Sequence, residues 1–374
     1  MVALNRFGLA VGLILSMVAC EPVGQAVDDP TPSPTPIELD FDSAVEVGTA
    51  ATIQTPEGMR PASKTVGPSG VAVKFENHDP AGPHRLDYFD LDGVHVKTLF
   101  EWTTTGARRG GGDPQPYDYW EAQWLGRTFA VVYYFAEGTA NDRVLHARVD
   151  LRTGERVSLD RFFEPQDLRP PLTPEEQHRE LFVWSQSDVS DDLCVYALTI
   201  EPVAMRQLVC ARDIGTEVVF TPTLVEGAVL FAAGTPEVGG GVFEMPLSGG
   251  RPVEVVPDAG TSHVVKIGDA YLFSRRAWDD AGSASDMDGV FLFQDGRMTP
   301  VETAWSHTVL ACGRWAVWVG GGQVRALDPD TGDTANISGP DRWSTPRGVT
   351  CHGRVVAATV GDVDASVRLF ELPA

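Results

Sequence analysis

One pattern recurs seven times between residue 65 and the end of the chain, and it leaves few folds open. A short apolar run is followed by a polar loop, an alternating segment, a tight glycine-containing turn and a further strand. The apolar runs are VAVKF from 71, TFAVVYYF from 128, ELFVW from 180, AVLFAA from 228, AYLFS from 270, WAVWV from 315 and VVAATV from 355. Each is short, rich in β-branched or aromatic residues and bounded by polar punctuation, which marks a buried strand rather than a helix. In RVLHARVD the alternation is plain: Leu145, Ala147 and Val149 face one way, His146 and Arg148 the other. Asp92-Gly93, Asp295-Gly296 and Gly249-Gly250 are two-residue hairpin signals, and Thr331-Gly332 ends a slightly longer turn. No segment carries a long amphipathic helix. Repetition at a period on the order of 40 residues predicts an all-β chain built radially, a β-propeller of seven four-stranded blades. The last unit, ending SVRLFELPA, is one strand short. The segment AVEVGTAATI, residues 44–53, is placed to supply that strand and close the ring.

The first 43 residues follow other rules. Arg6 and the amino terminus precede twelve apolar or small residues, 7–18, too few to span a bilayer comfortably. Met17, Val18, Ala19 and Cys20 follow. This stretch resembles a bacterial lipobox, and the resemblance implies that residues 1–19 are removed and that Cys20 carries the lipid, palmitate included. Residues 20–43, with DDPTPSPTP, read as an extended Pro/Asp-rich tether without a core of its own. The body is then 44–374. A lipid on Cys20 makes the membrane a partner and the cell envelope the location. Glu21, rather than Asp, after the cysteine favours the outer membrane.

The segments RALDPDTGDTANI (325–337) and HARVDLRTGERVSL (146–159) share a D-x-x-T-G turn. They resemble the outer strand-turn-strand of quinoprotein-like and Tol-Pal-associated propellers. The position that holds Trp in quinoprotein blades is Ile337 or Val157 here, and no adjacent cysteine pair exists. No quinone or other cofactor is therefore expected, and the turn is read as architecture.

Charge and cysteines narrow the function classes. The formal net charge is −23, which leaves no basic face for nucleic acid. Four Lys stand against 25 Arg. After Cys20 four cysteines remain, an even number for an exported chain. Cys194 and Cys210 flank a hairpin turn near Pro202 at equal distance. Cys312 and Cys351 hold matching places in units six and seven. The pairs 194–210 and 312–351 are expected, with other pairings open. No zinc spacing occurs, and the Asp-rich stretch 278–290 lacks the order of a calcium loop, so no metal is expected.

Catalytic residues cannot be assigned from spacing. His78 and His84 read as solvated loop residues. His263 and His307 precede innermost strands, as does Arg347, and together they could form a cationic mouth on the channel for a carboxylate or phosphate. Strand capping is the competing role for all three. The chain is expected to be a monomeric, lipid-anchored binding or scaffold module for an envelope protein, peptide or glycan. The alternative is an enzyme, a glycan hydrolase or lyase with its site at the channel mouth.

Overall fold

The computed structural model describes residues 39, 41, 43–79, 82–103, 121–125, 129–135, 144–151, 153–158, 176–178, 181–187, 192–200, 203–220, 222–235, 240–261, 263–275, 289–302, 309–320, 323–337, 348–361 and 365–374. The chain divides into two compact units, Met1–Pro34 and Thr35–Ala374. The first lies outside the described residues, as does Cys20. In the second, the regular elements among the described residues are β-strands and one short 3-10 turn, Ala211–Ile214.

Two short strands, β1 (Val45–Val47) and β2 (Thr49–Ile53), come first. Sheet one then holds β3 (Met59–Gly67), β4 (Gly70–Asn77), β5 (Pro83–Phe89) and β6 (His95–Thr103). Sheet two holds β7 (Glu121–Leu125), β8 (Phe129–Phe135), β9 (Val144–Asp150) and β10 (Arg156–Ser158). Sheet three holds β11 (Glu176–His178), β12 (Leu181–Ser187), β13 (Leu193–Ile200) and β14 (Val203–Cys210). In sheet four β15 (Val218–Val219) and β16 (Thr223–Val225) both pair with β17 (Ala228–Gly234), followed by β18 (Gly240–Pro246) and β19 (Val253–Thr261). Sheet five holds β20 (Val264–Ile267), β21 (Ala270–Arg275), β22 (Gly289–Gln294) and β23 (Arg297–Glu302). Sheet six holds β24 (Val309–Cys312), β25 (Trp315–Gly320), β26 (Gln323–Leu327) and β27 (Thr334–Ile337). Sheet seven holds β28 (Val349–His352), β29 (Val355–Val360) and β30 (Ser366–Glu371). Consecutive strands within a sheet pair antiparallel, the arrangement of a propeller-like body.

Each apolar run of the sequence is the second strand of its sheet. Where the side chains are described, this continuous apolar character goes with burial on both faces. Val229, Phe231 and Ala233 of β17 pack against Val195 and Ala197 of sheet three, while Leu230 packs against Val264 and Phe273 of sheet five. The core therefore lies between sheets. Trp315 and Val317 of sheet six meet Val356 and Phe370 of sheet seven. Ala357, Val367 and Leu369 of sheet seven meet Val71, Phe75 and Phe89 of sheet one.

The two D-x-x-T-G stretches form one and the same turn. In each, the glycine N–H donates to the aspartate carbonyl (Gly332 to Asp328, 2.8 Å; Gly154 to Asp150, 2.7 Å). In each the Asp carboxylate accepts a backbone N–H inside the turn, from Asp330 at 3.0 Å and from Thr153 at 2.9 Å. Gly332 and Gly154 have φ of 77° and 80°, a region that Cβ disfavours.

The segment expected to complete the last sheet divides in two. β2 pairs antiparallel with β30, with Ile53 opposite Val367. β1 turns aside at Gly48 and pairs parallel with β27 of sheet six, Val45 opposite Ala335. The tether also ends earlier than its composition suggests: Leu39 and Phe41, inside the span 20–43, pack against the cluster around Trp318.

Both expected disulfides are present. Cys312–Cys351 joins the first strands of sheets six and seven with Cα atoms 5.7 Å apart. Cys194–Cys210 joins β13 and β14. The hairpin begins with Ile200 opposite Val203, a register that would set Cys194 against Val209; a bulge between Val195 and Tyr196 shifts it by one and brings Cys210 opposite.

Candidate functional site

The first strands of successive sheets touch one another, β3 against β7 and β28, and β24 against β20 and β28. Groups at their entry ends are therefore the ones a ligand in a central channel would meet. The predicted cationic mouth is changed by the position of His263. This residue is buried, and its Nε2–H donates to the carbonyl of Val309 at 3.0 Å. Burial pushes its pKa below the usual imidazole value, against the raising effect of that hydrogen bond. Its backbone N–H donates to Thr261 Oγ1 at 3.1 Å. His263 thus fastens sheet five to sheet six as a neutral ring and brings no positive charge to a mouth. His307 and Arg347 lie outside the described residues. His84, read as a loop residue, is buried in β5, where its Nδ1 accepts the Asn77 N–H at 3.3 Å; His78 is exposed in a bend.

A group that the sequence reading passed over stands at the seam between sheets one and seven. Lys64 lies in β3, and its amine is hydrogen-bonded to the carbonyl of Gly348 and, at 2.8 Å, to Thr359 Oγ1. Gly348 stands immediately before β28, beside the expected mouth, and Thr359 is in β29. Gly348 has φ of 74°, so a side chain there would be strained, and its Cβ would lie in van der Waals contact with the Lys64 Nζ at 3.4 Å. Lys64 is partly buried at this seam, and desolvation of its amine lowers the pKa to about 7. Among the described residues no carboxylate forms an ion pair with it. Near neutral pH a large share of these amines is unprotonated, and an unprotonated amine can accept the proton of the adjacent hydroxyl. A base in hydrogen-bond contact with a hydroxyl is the minimal geometry of an activated oxygen nucleophile.

The one sequence signal for Lys64 is rarity. In a chain with four Lys and 25 Arg, each lysine is a position where arginine was not used, and only lysine can lose its proton near neutrality. The other lysines differ. Lys266 pairs with Glu244 at 2.9 Å, and its pKa ends raised by that partner although partial burial opposes it. Lys74 is buried against Glu76 at 2.9 Å. The cluster of Asp192, Cys194 and Cys210 has metal-ligand spacing, but its two sulfurs are bonded to each other.

No family model matches the chain, and no curated protein does. Its fold is similar to that of solved structures. One, from a study of two prolyl endopeptidases and the role of their inter-domain dynamics in catalysis and specificity, has TM-score 0.54 and 13% identity, over 85% of this chain and 47% of that one. The Pyrococcus horikoshii acylaminoacyl peptidase has TM-score 0.52 and 9% identity, over 84% and 52%. The β-propeller domain of the Trilobed protease from Pyrococcus furiosus, described as having an open velcro topology, has TM-score 0.50 and 8% identity, over 69% and 82%. The chain spans about half the length of the first two peptidases. At such identities the likeness establishes a propeller-like fold. It also corrects the expectation of a binding or scaffold module, because these three structures are of peptidases and of a protease domain.

Proposed function

We propose that the chain is a hydrolytic propeller acting on acyl bonds, amide or ester, at the seam of sheets one and seven. The observation that carries this reading is the Lys64 amine, with a pKa of about 7, in contact with the Thr359 hydroxyl at 2.8 Å. The fold shared with peptidases supports the class of reaction. In the proposed step Lys64 Nζ takes the Thr359 hydroxyl proton while Oγ1 attacks the substrate carbonyl carbon. The scissile bond breaks, and the leaving amine or alcohol receives that proton. Water then cleaves the acyl-threonine ester with the same amine as base, which restores both groups.

The seven sheets are read as seven blades in a closed ring. Support comes from the packing of sheet seven on sheets six and one, and from the pairing of β2 with β30. The chain is further proposed to be lipid-anchored through Cys20 at the outer membrane, on the lipobox pattern alone; Cys20→Ser should release it from membranes, and unchanged fractionation would refute the anchor.

Chromogenic esters and aminoacyl or peptidyl amides test the reaction. The value of kcat/KM should rise with pH through about 7 as the amine deprotonates. Lys64→Met and Thr359→Val should each lower it by roughly a hundredfold or more. Lys64→Arg should not restore it, because a guanidinium keeps its proton. Full activity in either single variant would remove the pair from the chemistry.

A further inference from the structure

Trp318 of β25, Arg325 of β26 and Asn336 of β27 stand opposite one another across sheet six. Residues in register on neighbouring strands share a face. Here it is the face toward sheet five, since Trp318 packs with Leu292 and Val301. The N-terminal segment lies across this row. The Phe41 ring meets Trp318 edge-on with centroids 5.9 Å apart. The Arg325 guanidinium sits 4.6 Å from the Phe41 ring centre, held also by Glu302 of sheet five. Asn336 Nδ2 donates to the Phe41 carbonyl at 2.7 Å. Leu39 packs on the same apolar cluster. Three further buried atoms of the row, Trp318 Nε1, Arg325 Nε and Asn336 Oδ1, have no hydrogen-bond partner among the described residues.

We infer that this row is a binding slot for a turned peptide segment bearing an aromatic side chain, and that its occupant is the chain's own Leu39 and Phe41, where the Phe41 N–H donates to the Leu39 carbonyl at 3.2 Å and the Ala44 N–H to the Phe41 carbonyl at 3.4 Å. The chemistry is selective in two ways. The guanidinium over the ring rewards an aromatic residue. The Asn336 amide reads a main-chain carbonyl, the one that also accepts the Ala44 N–H at 3.4 Å in the turn. The slot seats the segment just before β1 and β2, so it sets where the N-terminal part of the chain joins the body. This inference does not rest on the hydrolytic reading.

The test uses the full chain carrying Phe41→Ala and a synthetic peptide of residues 37–43, with binding followed by calorimetry. The variant should bind the peptide. The native chain, whose own Phe41 competes, should bind it at least about tenfold more weakly, and a peptide with Phe41 replaced by Ala should lose about as much. Binding to neither protein, or equal binding to both, overturns the inference. If circular dichroism shows that Phe41→Ala does not fold, Arg325→Lys in the full chain replaces it, read by amide exchange at Val45–Val47. Faster exchange there is expected from the lost stacking, and unchanged exchange overturns the inference.

Discussion

At the scale of single residues, Lys64 joins a stability prediction to a chemical one. Its pKa is about 7 in the folded chain, against roughly 10.4 for an unperturbed lysine. Between these values the unfolded chain holds a proton that the folded chain has released, so this group makes stability rise with pH across that window. Below about pH 7 both states are protonated and the cost of the desolvated charge is fully present. Lys64→Met should therefore be more stable than the native chain at pH 6, with the advantage shrinking toward pH 10; urea midpoints at both pH values check this. Lys64 could be seen in the sequence only as one of few lysines. Its pKa and its contact with Thr359 arise from residues 284 and 295 positions away in the chain, which no local pattern reports. His263 shows the same limit in reverse. Its place before a first strand was legible, but the Val309 carbonyl that commits its ring belongs to the next sheet.

At the scale of elements, the glycine turns were legible because their demand is local. Gly332 and Gly48 make a controlled pair. A Cβ at either position would meet nothing within 4 Å, yet Gly332 has φ of 77° while Gly48 lies outside the left-handed region. Gly332→Ala should cost about 1–2 kcal/mol, whereas Gly48→Ala should be neutral or stabilise by about 0.4–1 kcal/mol. Thermal unfolding of the two variants separates backbone strain from crowding. β3 was the element hardest to see. Its sequence, MRPASKTVG, is polar because a first strand is only partly covered, and the apolar test for a buried strand passes it by. The second strands were easy for the opposite reason. Phe231 of β17 is fully buried between sheets, and Phe231→Ala should cost about 3–5 kcal/mol in urea unfolding.

At the scale of the molecule, several ties converge on sheets six and seven. Cys312–Cys351 joins their first strands, Trp315 Nε1 donates to the Pro373 carbonyl at 3.1 Å, and β1 and β2 edge one sheet each. The two disulfides differ in the chain length they close, 39 residues against 16. Loop entropy then predicts a loss of about 4 kcal/mol for the Cys312→Ser/Cys351→Ser double variant and about 3 kcal/mol for Cys194→Ser/Cys210→Ser. Denaturant titrations of the two should show the larger drop for the inter-sheet bond; the reverse order would mean that the long loop is already constrained by the other ties.

The sequence by itself determined the all-β class, the seven apolar strands and the turns between them, and it pointed to the two cysteine pairs while leaving other pairings open until the structure showed both bonds. These follow from short-range rules: alternation along a strand, left-handed glycines in tight turns, and cysteines at matching places in a repeat. Only the tertiary structure decided how residues 44–53 divide between two sheets, why a bulge was needed to bring Cys194 opposite Cys210, where Phe41 is seated, and that Lys64 meets Thr359. Each of these depends on a neighbour from a distant part of the chain. Burial, the quantity that sets a pKa or seats a ring, is a property of that neighbourhood rather than of the residue.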